Sequence, residues 1–207
     1  MRMRRLASAT DPDGAAFDDA AATAEAQAAW LDAHGSTAEA ALILACAADG
    51  RRTWASRCGR ADEAEVHDAH VAEHLRRALR ADPALWAAWD LALRRAKRDS
   101  DPMALTQFAC HLADQPAVPP ALACETIQAV LSTTGGASPA DRLAVCAQLR
   151  ARIDPAQQPC PAADLAGAYV DLAAGRLDDA KAALRRVLVV RPACGEAKRL
   201  LALAGES

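Results

Sequence analysis

The chain has 207 residues, of which 52% are hydrophobic but only 3% are aromatic. The formal net charge is −3 and acidic and basic residues are interspersed, so the basic face that nucleic-acid binders carry is missing. No run approaches the ~18 apolar residues of a membrane span, and the chain begins without the apolar stretch of a signal peptide. We therefore expect a cytoplasmic protein that binds neither nucleic acid nor membrane.

Strong start and stop signals predict an all-α protein. Capping side chains precede prolines at three sites, where the missing N–H of proline costs nothing in the first helical turn. Ser36 with Glu39 reads as a capping box, and glycines mark several helix ends. The three cap–proline pairs are Asp82-Pro83, Asp101-Pro102 and Ser138-Pro139.

These signals predict ten helices after a disordered tail at residues 1–13. Residues 14–207 are expected to form one domain. The predicted helices are 15–33, 37–57 (with a break considered at Asp49-Gly50), 61–81, 84–98, 102–114, 120–133, 139–153, 162–174, 177–190 and 194–204.

Related helix endings are closed by prolines that lie 33, 39 and 37 residues apart, and such a drifting period near 34 is typical of helix-pair solenoids. The segment from Gly175 to Ala180, followed by Leu184 and Pro192 and preceded by the small Ala168, resembles the tetratricopeptide repeat family. The resemblance implies stacked antiparallel helix hairpins in a right-handed α-solenoid. Its units would be about 37–83, 84–117, 119–155 and 161–192, with a capping helix at 194–204.

The same resemblance implies a groove, formed by the first helix of each unit, that holds a protein or peptide partner. Large aromatic side chains often anchor such interfaces. The alternative is that Trp86 and Trp89 fill the joint with the preceding helix pair. The residues at groove positions are Trp86, Trp89, Leu93, Lys97, Leu165, Tyr169 and Leu172.

A second hypothesis is a metal sensor or enzyme that uses a histidine stripe on helix 61–81. Glu63, His67, His70 and His74 share one side of this helix. A single helix seldom supplies more than two metal ligands, so we expect no stoichiometric zinc and no cofactor. Cys110 and His111 point about 100° apart and cannot form a nucleophile–base pair.

The remaining patterns indicate no catalytic residues. The seven cysteines are odd in number and lack the close pairs of zinc sites. Cys46, Cys110, Cys124 and Cys146 fall in apolar helical patterns, where cysteine acts as a small hydrophobe. The sequence thus favours a non-enzymatic scaffold, adaptor or chaperone, with a regulatory domain of a nucleic-acid-handling system as a further alternative.

Overall fold

The computed structural model describes residues 15–135, 137–157 and 160–205, so the predicted tail at 1–13 lies outside the described residues. Within these ranges the chain forms ten α-helices and no β-strand. The helices are α1 (Ala15–Ala33), α2 (Thr37–Arg57), α3 (Ala61–Ala81), α4 (Trp86–Asp99), α5 (Pro102–Ala113), α6 (Pro120–Ser132), α7 (Pro139–Ala151), α8 (Pro161–Ala173), α9 (Leu177–Val190) and α10 (Gly195–Leu203). A short 3₁₀ turn, Pro155–Gln157, follows α7.

The all-α class is confirmed, and every helix begins and ends within two residues of its predicted bounds. The break considered at Asp49-Gly50 does not occur, because α2 continues through both residues. Gly50 is buried in this helix, where its small size suits close packing.

The predicted caps form at two of the four sites. The side chain of Asp101 accepts a hydrogen bond from the Met103 amide, and that of Ser138 accepts one from the Asp141 amide. Asp82 instead stabilises a turn by accepting from the Ala84 amide, so α4 begins later than predicted, at Trp86. Ser36 makes no side-chain capping bond, and the predicted capping box is wrong.

Ser36 differs because the turn before α2 is already closed by its backbone. Gly35 has a φ of +83°, and the amide of Ser36 donates 2.9 Å to the carbonyl of Leu31. This hydrogen bond belongs to the Schellman motif that ends many helices. Gly59 and Gly175 close α2 and α8 in the same way.

The chain divides into two compact units, with the boundary inside α4. Unit 1 is Met1–Ala92, of which residues 15–92 are described, and unit 2 is Leu93–Ser207. The sequence predicted one domain, and the division falls within its predicted unit 84–117. A continuous helix across the boundary leaves no linker that composition could reveal.

The core of unit 1 joins small residues of α2 to larger residues of α3. Alanines such as Ala41 and Ala45 face Val71 and Leu75, and Leu91 of α4 joins the same cluster. Alanine allows two helix axes to approach closely, which places the branched side chains of the partner helix in contact with its backbone. The low aromatic content is therefore compatible with a packed core.

In unit 2, consecutive helices from α5 to α10 contact one another, and α5 also contacts α7 as α6 contacts α8. The connector between α5 and α6 pairs with the end of α7. Val118 donates its amide to the Arg152 carbonyl at 2.8 Å and accepts from the Asp154 amide at 3.0 Å. Val118 and Ile153 are both buried, so this pairing anchors the end of α7.

We predict that Gly175→Ala lowers the free energy of unfolding by about 1 kcal/mol. Gly175 has a φ of +74°, which an L side chain adopts only with strain. Gly195→Ala is the matched control, because Gly195 has no positive φ and its added Cβ would meet nothing within 4 Å. Urea unfolding of both variants measures the difference, and equal stabilities would contradict the turn assigned to Gly175.

Candidate functional site

The two tryptophans at predicted groove positions of unit 1 have different surroundings. Trp86 is partly exposed at the first turn of α4. Trp89 is only 6% exposed, and its indole Nε1 donates a 2.9 Å hydrogen bond to the Pro83 carbonyl. Trp89 therefore packs inside the unit, as the alternative interpretation proposed, and only Trp86 presents surface to a partner.

The groove positions at the start of unit 2 also separate into buried and exposed residues. Leu93 is completely buried, so its side chain is not accessible to a partner. Lys97 is exposed, and its Nζ lies 3.7 Å from Glu125 Oε2. Surface ion pairs of this kind contribute little to stability.

In α8, Leu165 and Leu172 are partly exposed, whereas Tyr169 is 8% exposed. The hydroxyl of Tyr169 donates to Glu196 Oε1 on α10, and Arg199 donates to the same carboxylate. Burial, followed by the hydrogen bond to Glu196, raises the pKa of Tyr169, while the hydrogen bond from Arg199 is the main cause that lowers the pKa of Glu196. Tyr169 thus connects α8 to α10 within the unit.

The histidine stripe lies on α3, but its residues do not converge on one point. The ring centroids of His67 and His70 are 6.2 Å apart. Burial lowers the pKa of His67 and of His74, and the charges of Arg51 and Arg77 respectively lower them further. Within the described ranges, no group of three or more His, Cys, Asp or Glu residues is placed to hold a metal ion.

Two of the cysteines in the described helices, Cys124 and Cys146, are buried. Burial raises the pKa of Cys124 and of Cys146 to about 12, which disfavours the reactive thiolate. Cys46 is exposed, so the expectation that it packs among apolar residues is wrong. It lies on the solvent side of α2, where alanine-rich sequence leaves the buried face poorly defined.

Unit 2 contains a cleft between α7, α8 and α9 that is lined by charged side chains. Its volume is about 510 Å³, and small residues such as Ala163 and Ala182 form part of its wall. The charged side chains that line it are Arg150, Asp164, Asp171, Arg176, Asp179 and Arg186. We call it the arginine cleft.

The innermost charge of the arginine cleft is Asp171, which is only 3% exposed. Its Oδ1 accepts from Arg150 Nη1 at 2.9 Å, and from Arg176 Nε at 3.0 Å and Nη2 at 2.6 Å. A buried carboxylate is costly unless charges and hydrogen bonds compensate it. Two guanidinium groups, from α7 and from the turn before α9, supply this compensation.

Two local features of α8 make this arrangement possible. The Schellman turn brings Arg176 back over the end of the helix, because the Arg176 amide donates 2.8 Å to the Asp171 carbonyl. Gly167 lies beneath the guanidinium of Arg150, where an added Cβ would be 3.2 Å from Nη2 and 3.3 Å from the central carbon. The absence of a side chain at Gly167 lets Arg150 lie close to α8.

A second ion pair lies along the same cleft. Arg186 donates from Nε and Nη2 to Asp164 Oδ1, at 2.8 and 2.6 Å. Asp164 and Asp171 are separated by seven residues, which places them within about 20° on the helix. Leu165 and Leu172 lie about 100° further round α8, so the predicted groove positions and the arginine cleft occupy different faces.

The residues of the arginine cleft suit recognition by hydrogen bonds and charge. Cys160 also lines it, and its Sγ accepts from the Ala163 amide at 3.4 Å as the cap of α8. The described wall has no His, Lys or Ser, so the residue types in it that can act as nucleophile or base are Cys160 and the aspartates. The arrangement can hold an anionic or hydrogen-bonding group in place.

Comparison with protein-family models, with curated proteins and with solved structures found no match for the chain. The tetratricopeptide resemblance therefore stays a prediction. None of the helices in the described part of the chain is both long and apolar enough to cross a membrane.

We predict that the double variant Arg150→Gln and Arg176→Gln lowers the free energy of unfolding by about 3–5 kcal/mol, because it leaves the buried carboxylate without a cation. Adding Asp171→Asn should recover most of this loss, since the variant then buries no charge. Chemical denaturation followed by circular dichroism measures all three proteins.

The control is Arg191→Gln, which removes an exposed positive charge at the end of α9. Its expected cost is below about 1 kcal/mol. A triple variant no more stable than the double variant would show that the charge of Asp171 is not what the two arginines compensate.

Proposed function

We propose that the chain is a non-enzymatic protein-binding module and that the arginine cleft of unit 2 holds a segment of its partner. The observation that carries the proposal is the pair of guanidinium groups fixed on Asp171 at 2.6–3.0 Å, both of which line the cleft. Donors held in position before a ligand arrives lose little entropy on binding, which favours recognition.

Size and composition support the same role. The cleft volume of about 510 Å³ falls within the range of about 300–1,000 Å³ that is typical of ligand sites. Its walls combine charged side chains with Ala163, Ala182 and Ala183, which leave room for a polypeptide backbone. The wall thus offers charged binding groups and room for a peptide backbone, which supports a binding role.

The solenoid arrangement and the location belong to the same proposal. The hairpin contacts of α5 to α10, together with the resemblance at Gly175 to Ala180, support stacked antiparallel hairpins of the tetratricopeptide type. No disulfide joins the cysteines, all seven of which lie in the described residues, and this fits a reducing cytoplasm. On the groove face, the exposed residues Trp86, Lys97, Leu165 and Leu172 are proposed as additional partner contacts.

A photo-crosslinking residue in place of Ala182 tests the proposal, because Ala182 is exposed and lines the cleft. In cells of the source organism we expect one main cross-linked protein, identified by mass spectrometry. Ala202 is the control position, since it is also exposed but lies on α10 outside the cleft wall.

The yield of the cross-linked product should fall strongly when Arg150→Gln is combined with the crosslinker at position 182. The same products from positions 182 and 202, or a product unaffected by Arg150→Gln, would contradict a partner segment in the cleft.

A further inference from the structure

We infer that Arg150 and Arg176 together bind a carboxylate side chain of an acidic partner segment. This inference rests on the proposed function for the class of partner and on the geometry of the arginine cleft for the chemistry. It assigns one recognition element within the cleft.

Arg150 and Arg176 both have N–H donors that are not used by Asp171. A guanidinium group has five N–H donors. Arg150 uses Nη1 for Asp171, and Arg176 uses Nε and Nη2. No other hydrogen-bond partner for either side chain occurs in the described ranges, so each guanidinium keeps donors for a ligand. Arg150 and Arg176 have side-chain exposures of 42% and 49%, so both side chains are open to solvent.

The local charge around Asp171 favours an anionic ligand. Arg150 and Arg176 share one carboxylate oxygen, and this group of three therefore carries one net positive charge. Arg186 is already paired with Asp164. A ligand with one negative charge balances the excess on these three groups, and Asp179, which also lines the cleft, repels it less than it would repel a phosphate dianion.

Both guanidinium groups are held in a defined orientation. Asp171 holds the Arg176 guanidinium through two of its nitrogens, and Gly167 supports the face of the Arg150 guanidinium. Arginine recognises carboxylates through its planar set of parallel donors, which lysine lacks. Because these groups are already oriented, a glutamate or aspartate side chain can bind without reorganising the cleft.

The test uses the full chain and two blocked pentapeptides, acetyl-Gly-Gly-Glu-Gly-Gly-amide and its Gln counterpart. NMR titration follows the Gly167 amide and the Nε–H signals of the arginines. The glutamate peptide should give saturable shifts at Gly167 and Arg176, with an affinity about tenfold higher than that of the glutamine peptide. Inorganic phosphate should bind more weakly than the glutamate peptide.

Arg150→Gln should weaken binding of the glutamate peptide about tenfold, and Arg150→Lys should also weaken it although the charge is kept. Arg191→Gln is the charge-matched control and should leave the affinity unchanged. Because Arg150→Lys retains a cation beside Asp171, it keeps the test interpretable if Arg150→Gln does not fold.

Equal affinity for the two peptides, tighter binding of phosphate, or an equal loss in Arg191→Gln would each overturn the carboxylate assignment. Specific peptide binding without a cross-link from position 182 supports the carboxylate site but contradicts the proposed function. A partner cross-linked at position 182, combined with no preference for the glutamate peptide, contradicts the carboxylate site and leaves the proposed function standing.

Discussion

A buried carboxylate must be neutralised where it lies, and the Asp171 side chain imposes this constraint on unit 2. Its compensation comes from Arg150 on α7 and Arg176 at the end of the α8–α9 turn. The ion pairs therefore join three consecutive helical elements at one oxygen atom. These ion pairs restrict how α7 and α9 pack on α8, because the Asp171 carboxylate would lose part of its charge compensation if either guanidinium moved away.

The same constraint connects structure with binding. If the two salt bridges had only a structural role, contact between the guanidinium groups and Asp171 would be sufficient. Here they also line a cleft of about 510 Å³ and retain donors that no described protein group occupies. Asp171 thus contributes to folding and orients the groups that we propose as the binding site, and a change at this residue affects both.

Most of the secondary structure could be predicted from sequence because its signals are local. Asp101 and Ser138 are followed by proline, and both cap their helices as expected. Ser36 has suitable local sequence but makes no side-chain cap, because Gly35 already fixes the backbone and directs the Ser36 amide to Leu31. Local propensity cannot distinguish a side-chain cap from a turn closed by backbone hydrogen bonds, since both are compatible with the same residue types.

The arginine cleft was not predicted, because it depends on residues distant in sequence. Arg150 and Asp171 lie on different helices, and nothing in the sequence near either residue identifies the other as its partner. One signal was available: Gly167 interrupts a helix of otherwise good helix formers, and an internal glycine often marks a close approach. For Trp89, Leu93 and Tyr169, the aromatic and apolar character fitted both core and groove, and their burial places them in the core.

The central claim is that Asp171 holds Arg176 in a fixed orientation, and hydrogen exchange at the Arg176 Nε–H measures this most directly. The Nε–H donates to Asp171 Oδ1 at 3.0 Å, so its exchange with solvent should be slower than that of the exposed Arg191 Nε–H. In Asp171→Ala, which removes the acceptor, the protection should largely disappear while the helical circular dichroism is retained. Exchange at Arg176 as fast as at Arg191 in the unmodified protein would contradict the account.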